Sequence, residues 1–441
     1  MSDYDRSGLG RRCLLRGSAS LALTTGLLGN VSKVSAAPPP ATPAIALVGG
    51  ELHVGDGEVI KGAVVVLEGE RFAVVSGPAG RARIAEKGAR VVDLDGKILT
   101  PGFIAADTQL GLIEIEMEAS TRDDSLAGAD PVRAAYDAAA ALQAESSLLQ
   151  IQAIEGITSA AVAPSGGLIA GQVAWIDLVH GDRSQMLVRP RLALAGSLGQ
   201  VIGGSRAATL SRLRELLADA RFYRQRKGAH ERGQLRQLAA HPRDLEALAP
   251  VLERRAVLTL SAQRESDILA ALDLAREEGL RIAIVGGAEA WKLAPRLAEA
   301  KVPVILQPSE NLPGSLDTLS ARLDNAALLA AAGAEVVIGV LGSPHNLRNI
   351  RQEAGIAVAN GLEWERALTA VSLGVARAYG MDQTHGSVRP GKVANVVVWD
   401  RDPFELAAAP QQVYIRGRAI PMVSRQTLLR ERYRDVGREA R

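Results

Sequence analysis

From Ala44 onward the chain alternates apolar and polar positions in short runs broken by Gly, Asp and Glu. Ile45-Ala46-Leu47-Val48, Ala63-Val64-Val65-Val66-Leu67 and Phe72-Ala73-Val74-Val75 read as strands. Arg90-Val91-Val92-Asp93-Leu94 and Lys97-Ile98-Leu99-Thr100 follow, joined by Asp95-Gly96, a hairpin signal. The same grammar returns near the other end, in Asn395-Val396-Val397-Val398-Trp399 and Gln412-Val413-Tyr414-Ile415. The two ends are therefore expected to pair in one small β domain. Between them, apolar strands alternate with helical stretches. Strand candidates include Gly102-Phe103-Ile104-Ala105, residues 157–162, 256–260, 281–285, 302–306 and 335–339, with helices at Glu265–Glu278, 288–300 and 326–332 between them. Repeated β-then-α over about 280 residues argues for parallel strands and suits a (β/α)₈ barrel. Residues 172–199 do not parse cleanly, so the third and fourth barrel strands stay unplaced.

The length, 441 residues, allows about three domains, or one large barrel plus something smaller. With 47% hydrophobic and 23% charged residues there is ample side chain for a large core, which excludes disorder as the main state. Lys and Arg exceed Asp and Glu by two, and aromatics are 3%, so neither a basic field nor stacking platforms point to nucleic acid. The first 36 residues read as a signal peptide of the twin-arginine type. Arg11-Arg12 precedes a short apolar stretch from Ser18 to Gly29, and Val34-Ser35-Ala36 supplies the small residues signal peptidase needs. A periplasmic or otherwise exported protein is the expectation. After removal of that segment the chain lacks its one cysteine, Cys13, and no later segment is apolar for long enough to span a membrane.

Two end motifs carry a resemblance. Val92-Asp93-Leu94-Asp95-Gly96-Lys97-Ile98-Leu99-Thr100-Pro101-Gly102-Phe103-Ile104 looks like the stretch leading into the barrel of the metal-dependent amidohydrolase superfamily. Residues 386–399, Gly-Ser-Val-Arg-Pro-Gly-Lys-Val-Ala-Asn-Val-Val-Val-Trp, are similar to its closing motif, and His345-Asn346-Leu347-Arg348-Asn349-Ile350-Arg351-Gln352-Glu353-Ala354-Gly355 with the helix at 363–379 looks like the imidazolonepropionase-like branch. The resemblance implies an α/β fold: a (β/α)₈ TIM-like barrel over 101–385 and a composite β-sandwich domain from 41–100 plus 386–425, with a tail at 426–441. It also implies hydrolysis of non-peptide carbon–nitrogen bonds in small amides by a metal-bound hydroxide.

The ligand positions that the resemblance implies are substituted. The first-strand His-x-His falls on Asp107 and Gln109, the fifth-strand histidine on Ser261, the sixth-strand histidine near Gly286 and the eighth-strand aspartate on Leu341. The chain has no Lys between Lys97 and Lys227 to bridge two metals. Only Asp107 is a usual donor, whereas transition-metal sites take three or four. The family norm is zinc or another divalent metal; for this chain no metal cofactor is expected. The acidic run Glu114, Glu116, Glu118 with Asp123-Asp124 reads as a solvated strand edge, a hard-cation site or a surface for a cationic ligand.

Candidates for gripping a ligand without metal are Asp107, Gln109, Arg206, Arg264 and His345, all at strand ends or loop starts. Gly203-Gly204-Ser205-Arg206 before a long helix is either an anion site or a capping turn. The glycine-rich run from Ser165 to Gln172 is either a close approach to a ligand or a loop. The remaining histidines, His385 among them, are expected at the surface. Three functions stay open: an amidohydrolase acting on a small amide, a pseudoenzyme that binds a small molecule, and an inactive partner of an active amidohydrolase or of a second copy.

Overall fold

The structure, a computed structural model, describes residues 43–434 apart from 127, 129 and 235. The signal-peptide reading, and residues 435–441 of the tail, lie outside the described residues. The chain opens with β1 (Ile45–His53), β2 (Val59–Glu68), β3 (Arg71–Ser76), β4 (Arg90–Asp93) and β5 (Ile98–Pro101). The barrel strands are β6 (Phe103–Thr108), β7 (Ile157–Val162), β8 (Ile169–Asp177), β9 (Leu187–Ser197), β10 (Val257–Ala262), β11 (Ile282–Gly286), β12 (Val304–Leu306) and β13 (Val336–Ile338). The chain then returns through β14 (Val396–Trp399), β15 (Pro410–Ile415) and β16 (Arg418–Ala419) to the first sheet.

The two ends form one sheet in the order β16-β15-β14-β5-β1-β2-β3, with β4 also on β1. The seam is antiparallel: Val396 pairs with Pro101 and Val398 with Leu99. Asp95-Gly96 does not make a hairpin. β4 and β5 both run parallel to β1, one after the other along the same edge. Asp95 and Gly96 take left-handed backbone, φ 48° and 75°, and produce a jog that matches the irregular register of β1 around Gly50.

The barrel sheet runs β13-β12-β11-β10-β9-β8-β7-β6 and is nearly closed, with the Ala106 carbonyl 3.4 Å from where a Cβ on Gly339 would stand. This is the expected TIM-like architecture with one departure. β8 runs antiparallel to both β7 and β9. Only residues 163–168 join β7 to β8, too few for the crossover that parallel neighbours need. β8 and β9 are the strands that could not be placed from the sequence. The barrel interior is apolar and mostly small: Ala106, Ala161, Ala193, Ala195 and Ala283 surround Ile104, Val173, Trp175 and Val285. Its floor is helix Leu373–Tyr379, which contributes Val375, Ala376 and Tyr379. The single helix expected over 363–379 is broken into Trp364–Ala370 and Leu373–Tyr379, which frees the Val371 carbonyl to accept from the Ile104 amide at 2.9 Å. The tail contains helix Arg425–Tyr433, started by a Ser424–Thr427 capping box. Among the described residues no helix is long and apolar enough to cross a membrane.

Barrel and sheet are tied by a buried polar knot. Asp177, at the end of β8, is 0% exposed. It accepts from Ser159 Oγ at 2.7 Å and Asn395 Nδ2 at 3.1 Å, and lies 3.3 Å from both His385 Nε2 and Arg416 Nη1. Burial on its own raises this carboxyl; the hydrogen bond and charge of His385, the Ser159 hydroxyl and the Arg416 charge outweigh it and hold it below the ordinary range. His385, expected at the surface, is buried because it serves this carboxylate. Asp177→Asn should cost roughly 3–5 kcal/mol in denaturant unfolding, since it leaves the facing cations uncompensated. The carboxyl holds its proton less tightly folded than unfolded. Its contribution is therefore complete above its ordinary value of 3.8 and is lost as pH falls further. The Asn variant should lack that acid-limb loss; an unchanged acid limb would refute the assignment.

Candidate functional site

β6 carries the first-strand position to the C-terminal mouth of the barrel. Its pairing with β7 is irregular between Ala105 and Thr108, and Asp107 takes left-handed backbone with φ 49°. That conformation costs a residue with a Cβ roughly 1–3 kcal/mol and persists only where its surroundings impose it. The Asp107 carboxyl has no hydrogen bond or ion pair within the described residues. Burial pushes it up from 3.8 to about 6. Tyr379 rises from the barrel floor toward it, 3% exposed, with its oxygen against the Asp107 backbone amide and its O–H donated to no group among the described residues. Burial, and then the Asp107 charge, push the phenol well above its ordinary value, so it remains an O–H donor. The arrangement is a titratable acceptor, half-buried at the mouth, with a phenolic donor beneath it.

The other substituted positions are built into the scaffold. Gln109 is buried and donates from Nε2 to the Ala163 carbonyl at 3.4 Å. Ser261 stands at the end of β10, where its carbonyl accepts the Leu198 amide at 2.9 Å. At Gly286 an added Cβ would lie 2.1 Å from Gln263 Nε2, so the Gln263 side chain fills the space a histidine would need. Leu341 gives its amide to Gln307 Oε1 at 2.8 Å. Gln307 and Ser309 are fixed in turn by buried Glu353, at 3.0 Å from Gln307 Nε2 and 2.6 Å from Ser309 Oγ. Among the described residues no group of three His, Cys, Asp or Glu is gathered where a metal could be held. One carboxylate with an amide, a hydroxyl, a glycine and a leucine does not fit a transition-metal centre.

Of the ligand-gripping candidates, Gln109, Arg206 and Arg264 are spent on the chain itself, whereas the side chains of Asp107 and His345 have no hydrogen bond or ion pair among the described residues. Arg206 pairs with Asp267 at 3.1 Å and with Asp317 at 2.7 Å, and Arg264 reaches the same Asp317 at 3.4 Å and donates to the Leu316 carbonyl at 3.2 Å. The two guanidiniums are brought together, but over a carboxylate of the chain itself. Ser205 caps the helix Arg206–Gln225 by accepting the Ala208 amide at 3.3 Å, so the Gly203-Gly204 turn is a capping turn. His345 opens the short turn Pro344–Asn349, and its carbonyl accepts from Gln152 Nε2 at 3.1 Å.

The acidic run is no strand edge. Residues after Gln109 form turns in which Glu114, Glu116, Glu118 and Asp124 each meet a donor of the chain. Glu114 accepts from Ser146 and Ser147; burial would raise it, and these hydrogen bonds with the nearby His345 hold it below its ordinary range. Glu116 accepts from the Ser343 hydroxyl, and Asp124 takes Ser165 Oγ at 2.6 Å beside Arg122. The glycine-rich run also approaches protein rather than a ligand. A Cβ on Gly167 would stand 2.6 Å from the Pro131 carbonyl, which accepts the Leu168 amide at 2.7 Å. Residues 132 and 137 bridge to Ile169 and Gln172, so the first βα loop lies along β8. Tyr379 and Glu353 were not singled out from the sequence. In the sequence Tyr379 looks like one more apolar helix residue, whereas Glu353 lies inside the stretch 345–355 that carries the resemblance.

Residues 344–421 match the sequence model of a family described as "Amidohydrolase family". Amidohydrolase tasK of Hapsidospora irregularis is 39% identical over 74 residues, 17% of this chain; the match spans 8% of that protein's length. An amidohydrolase structure from Thermotoga maritima MSB8 is similar with a TM-score of 0.77 at 24% identity, covering 86% of this chain and 99% of that one. An adenosine deaminase from Xanthomonas campestris, solved with bound zinc, gives a TM-score of 0.52 at 18% identity over 90% of this chain and 98% of its own. At these identities the structural likeness is one of fold. Residues 344–421 thus resemble the amidohydrolase family in sequence, and over most of the chain the likeness to amidohydrolase structures is one of fold.

Proposed function

We propose that this chain is an exported member of the hydrolase family that has given up metal-dependent turnover and binds a small nitrogen-bearing molecule at Asp107. The observation that carries this reading is Asp107 itself: strained, desolvated and without a partner at the position of the first metal ligand. Scaffold carboxylates elsewhere in the mouth are paired, so an unpaired one implies something that comes and goes. With Arg206 and Arg264 neutralised by Asp267 and Asp317, the mouth no longer suits the carboxylate end of a zwitterion. It suits an N–H donor: an amide, an amidine or an amine, with the Tyr379 hydroxyl as a second contact. Export rests on Arg11-Arg12, the apolar stretch and Val34-Ser35-Ala36.

N-terminal sequencing of periplasmic protein should begin close to Ala37; protein that stays cytoplasmic and starts at Met1 refutes export. Elemental analysis of protein purified without added metal should find well under one zinc per chain. Near one equivalent that survives dialysis and disappears in Asp107→Ala would overturn the metal-free reading.

Asp107→Asn separates a ligand site from a scaffold residue. The carboxyl binds its proton more tightly folded than unfolded, so stability falls as pH rises from 3.8 to about 6 and stays low above. That shift corresponds to ~3 kcal/mol, so Asp107→Asn should raise stability at pH 7.5 by up to that amount and lose the gain by pH 4. Acetamidine affinity, read by calorimetry, should rise about tenfold per pH unit up to pH ~6 and fall ten- to a hundredfold in the variant, the worth of one charged hydrogen bond. Binding that ignores pH and survives the substitution would sink the ligand site. No binding, with an active amidohydrolase co-purifying, would favour the inactive-partner reading.

A further inference from the structure

The N-terminal face of the barrel, opposite the mouth, carries a cleft of about 510 Å³ where the chain enters β10, β11, β12 and β13. Four helix-to-strand turns feed those strands, and all four have one geometry. In each, the residue after the turn donates its amide five residues back: Arg255 to Pro250, Leu280 to Ala275, Val302 to Leu297 and Ala334 to Leu329, at 2.8 to 3.0 Å. Each turn needs one residue in left-handed backbone, the position that glycine fills without strain. Two turns use glycine, Gly279 at φ 67° and Gly333 at φ 83°. The other two use Arg254 at φ 60° and Lys301 at φ 53°. These are two of the six non-glycine residues with left-handed backbone among the described residues, and both line the cleft.

The chain therefore accepts backbone strain at the two turns where it places a cation on this cleft, and avoids it at the two where it does not. Arg281, at the start of β11, adds a third cation, and Arg377 from the floor helix a fourth. The side chains of Arg254, Arg281 and Lys301 make no hydrogen bond or ion pair within the described residues. Arg377 is 3.4 Å from Glu335, the one carboxylate lining the cleft. Three unpaired cations converge in a chain whose net charge is only +2. A cleft of this volume takes a small molecule rather than a polymer. Guanidinium forks and an ammonium together match tetrahedral oxyanions.

We infer that this face is an anion-binding site for a small molecule bearing two or more phosphate groups, separate from the Asp107 mouth. It does not depend on what the mouth binds. The test is the paired variant Arg254→Gly, Lys301→Gly, titrated with inorganic tripolyphosphate in 150 mM sodium chloride by calorimetry. Wild type should bind one tripolyphosphate per chain, and the variant should lose at least tenfold in affinity. Glycine relieves both turns, so the variant's melting temperature without ligand should be equal or higher, which removes unfolding as an explanation. Asp107→Asn should bind tripolyphosphate as wild type does. Equal affinity in wild type and variant, or no saturable binding at this salt, overturns the site. Citrate binding as tightly as tripolyphosphate overturns the phosphate assignment.

Discussion

The ionised carboxylate of Asp177 sits at the junction of barrel and sheet with no exposure to solvent. A bare charge there would cost several kcal/mol even after relaxation, comparable to the whole stability of a domain. Its compensation comes from distant parts of the chain: Ser159 on β7, His385 after the last barrel helix, and Asn395 and Arg416 on the returning strands. Arg416 is itself held, its amide on Asn395 Oδ1 at 2.8 Å and its guanidinium on Glu70 of the first sheet. Ser159 meets the carboxylate within the barrel, but the charge is not fully compensated until the returning C-terminal segment has reached it. That requirement makes the composite sheet and the barrel one folding problem, and it fixes where the C-terminal strands must go.

This arrangement leaves the mouth free to change. The knot, the floor helix and the seam between β5 and β14 owe nothing to the ends of β10, β11 and β13, where the substituted positions lie. There Gln263 occupies the space beside Gly286, and Glu353 organises Gln307 and Ser309. Ordinary amide and hydroxyl bonds organise these strand ends. Asp107 alone kept its chemistry without acquiring a partner, and the strained backbone beneath it is held by a scaffold secured elsewhere.

Period-two runs located most strands, and the two end motifs located the seam that joins β5 to β14. The sequence was silent on β8 because its direction is decided by the shortness of residues 163–168 and by the loop from Pro131 to Asp137 lying on it, neither of which leaves a periodic mark. Asp95-Gly96 carried the chemistry of a hairpin turn, but β1 offered a continuous edge to both flanking strands and parallel pairing prevailed. At the mouth, reading down the positions of the resemblance found Asp107. It could not show that Arg206 and Arg264 converge on Asp317, because the three residues lie on separate elements and meet only in the folded chain. His385 was misjudged for a related reason: a lone histidine in a polar stretch gives no sign of the carboxylate it will meet.

The stretch that matches the family, 344–421, contains few groups that face the mouth and many that join the two parts of the fold. Arg351, buried, donates to the Pro403 and Ala408 carbonyls and lies 5.4 Å over the Trp399 ring. Trp399 bonds Thr100 at 2.8 Å and stacks on Phe103, the first residue of the barrel. Glu353 braces the loop after β12, while His385, Asn395 and Arg416 complete the Asp177 knot. A match over this segment reports that the barrel is closed by its sheet in the family's manner. The positions that the resemblance assigns to metal ligands, at the ends of β6, β10, β11 and β13, stand before it. Likeness in the closing segment and divergence at the mouth are therefore compatible, because they answer to different physical demands: compensating a buried charge in one case, and presenting a single titratable carboxylate in the other.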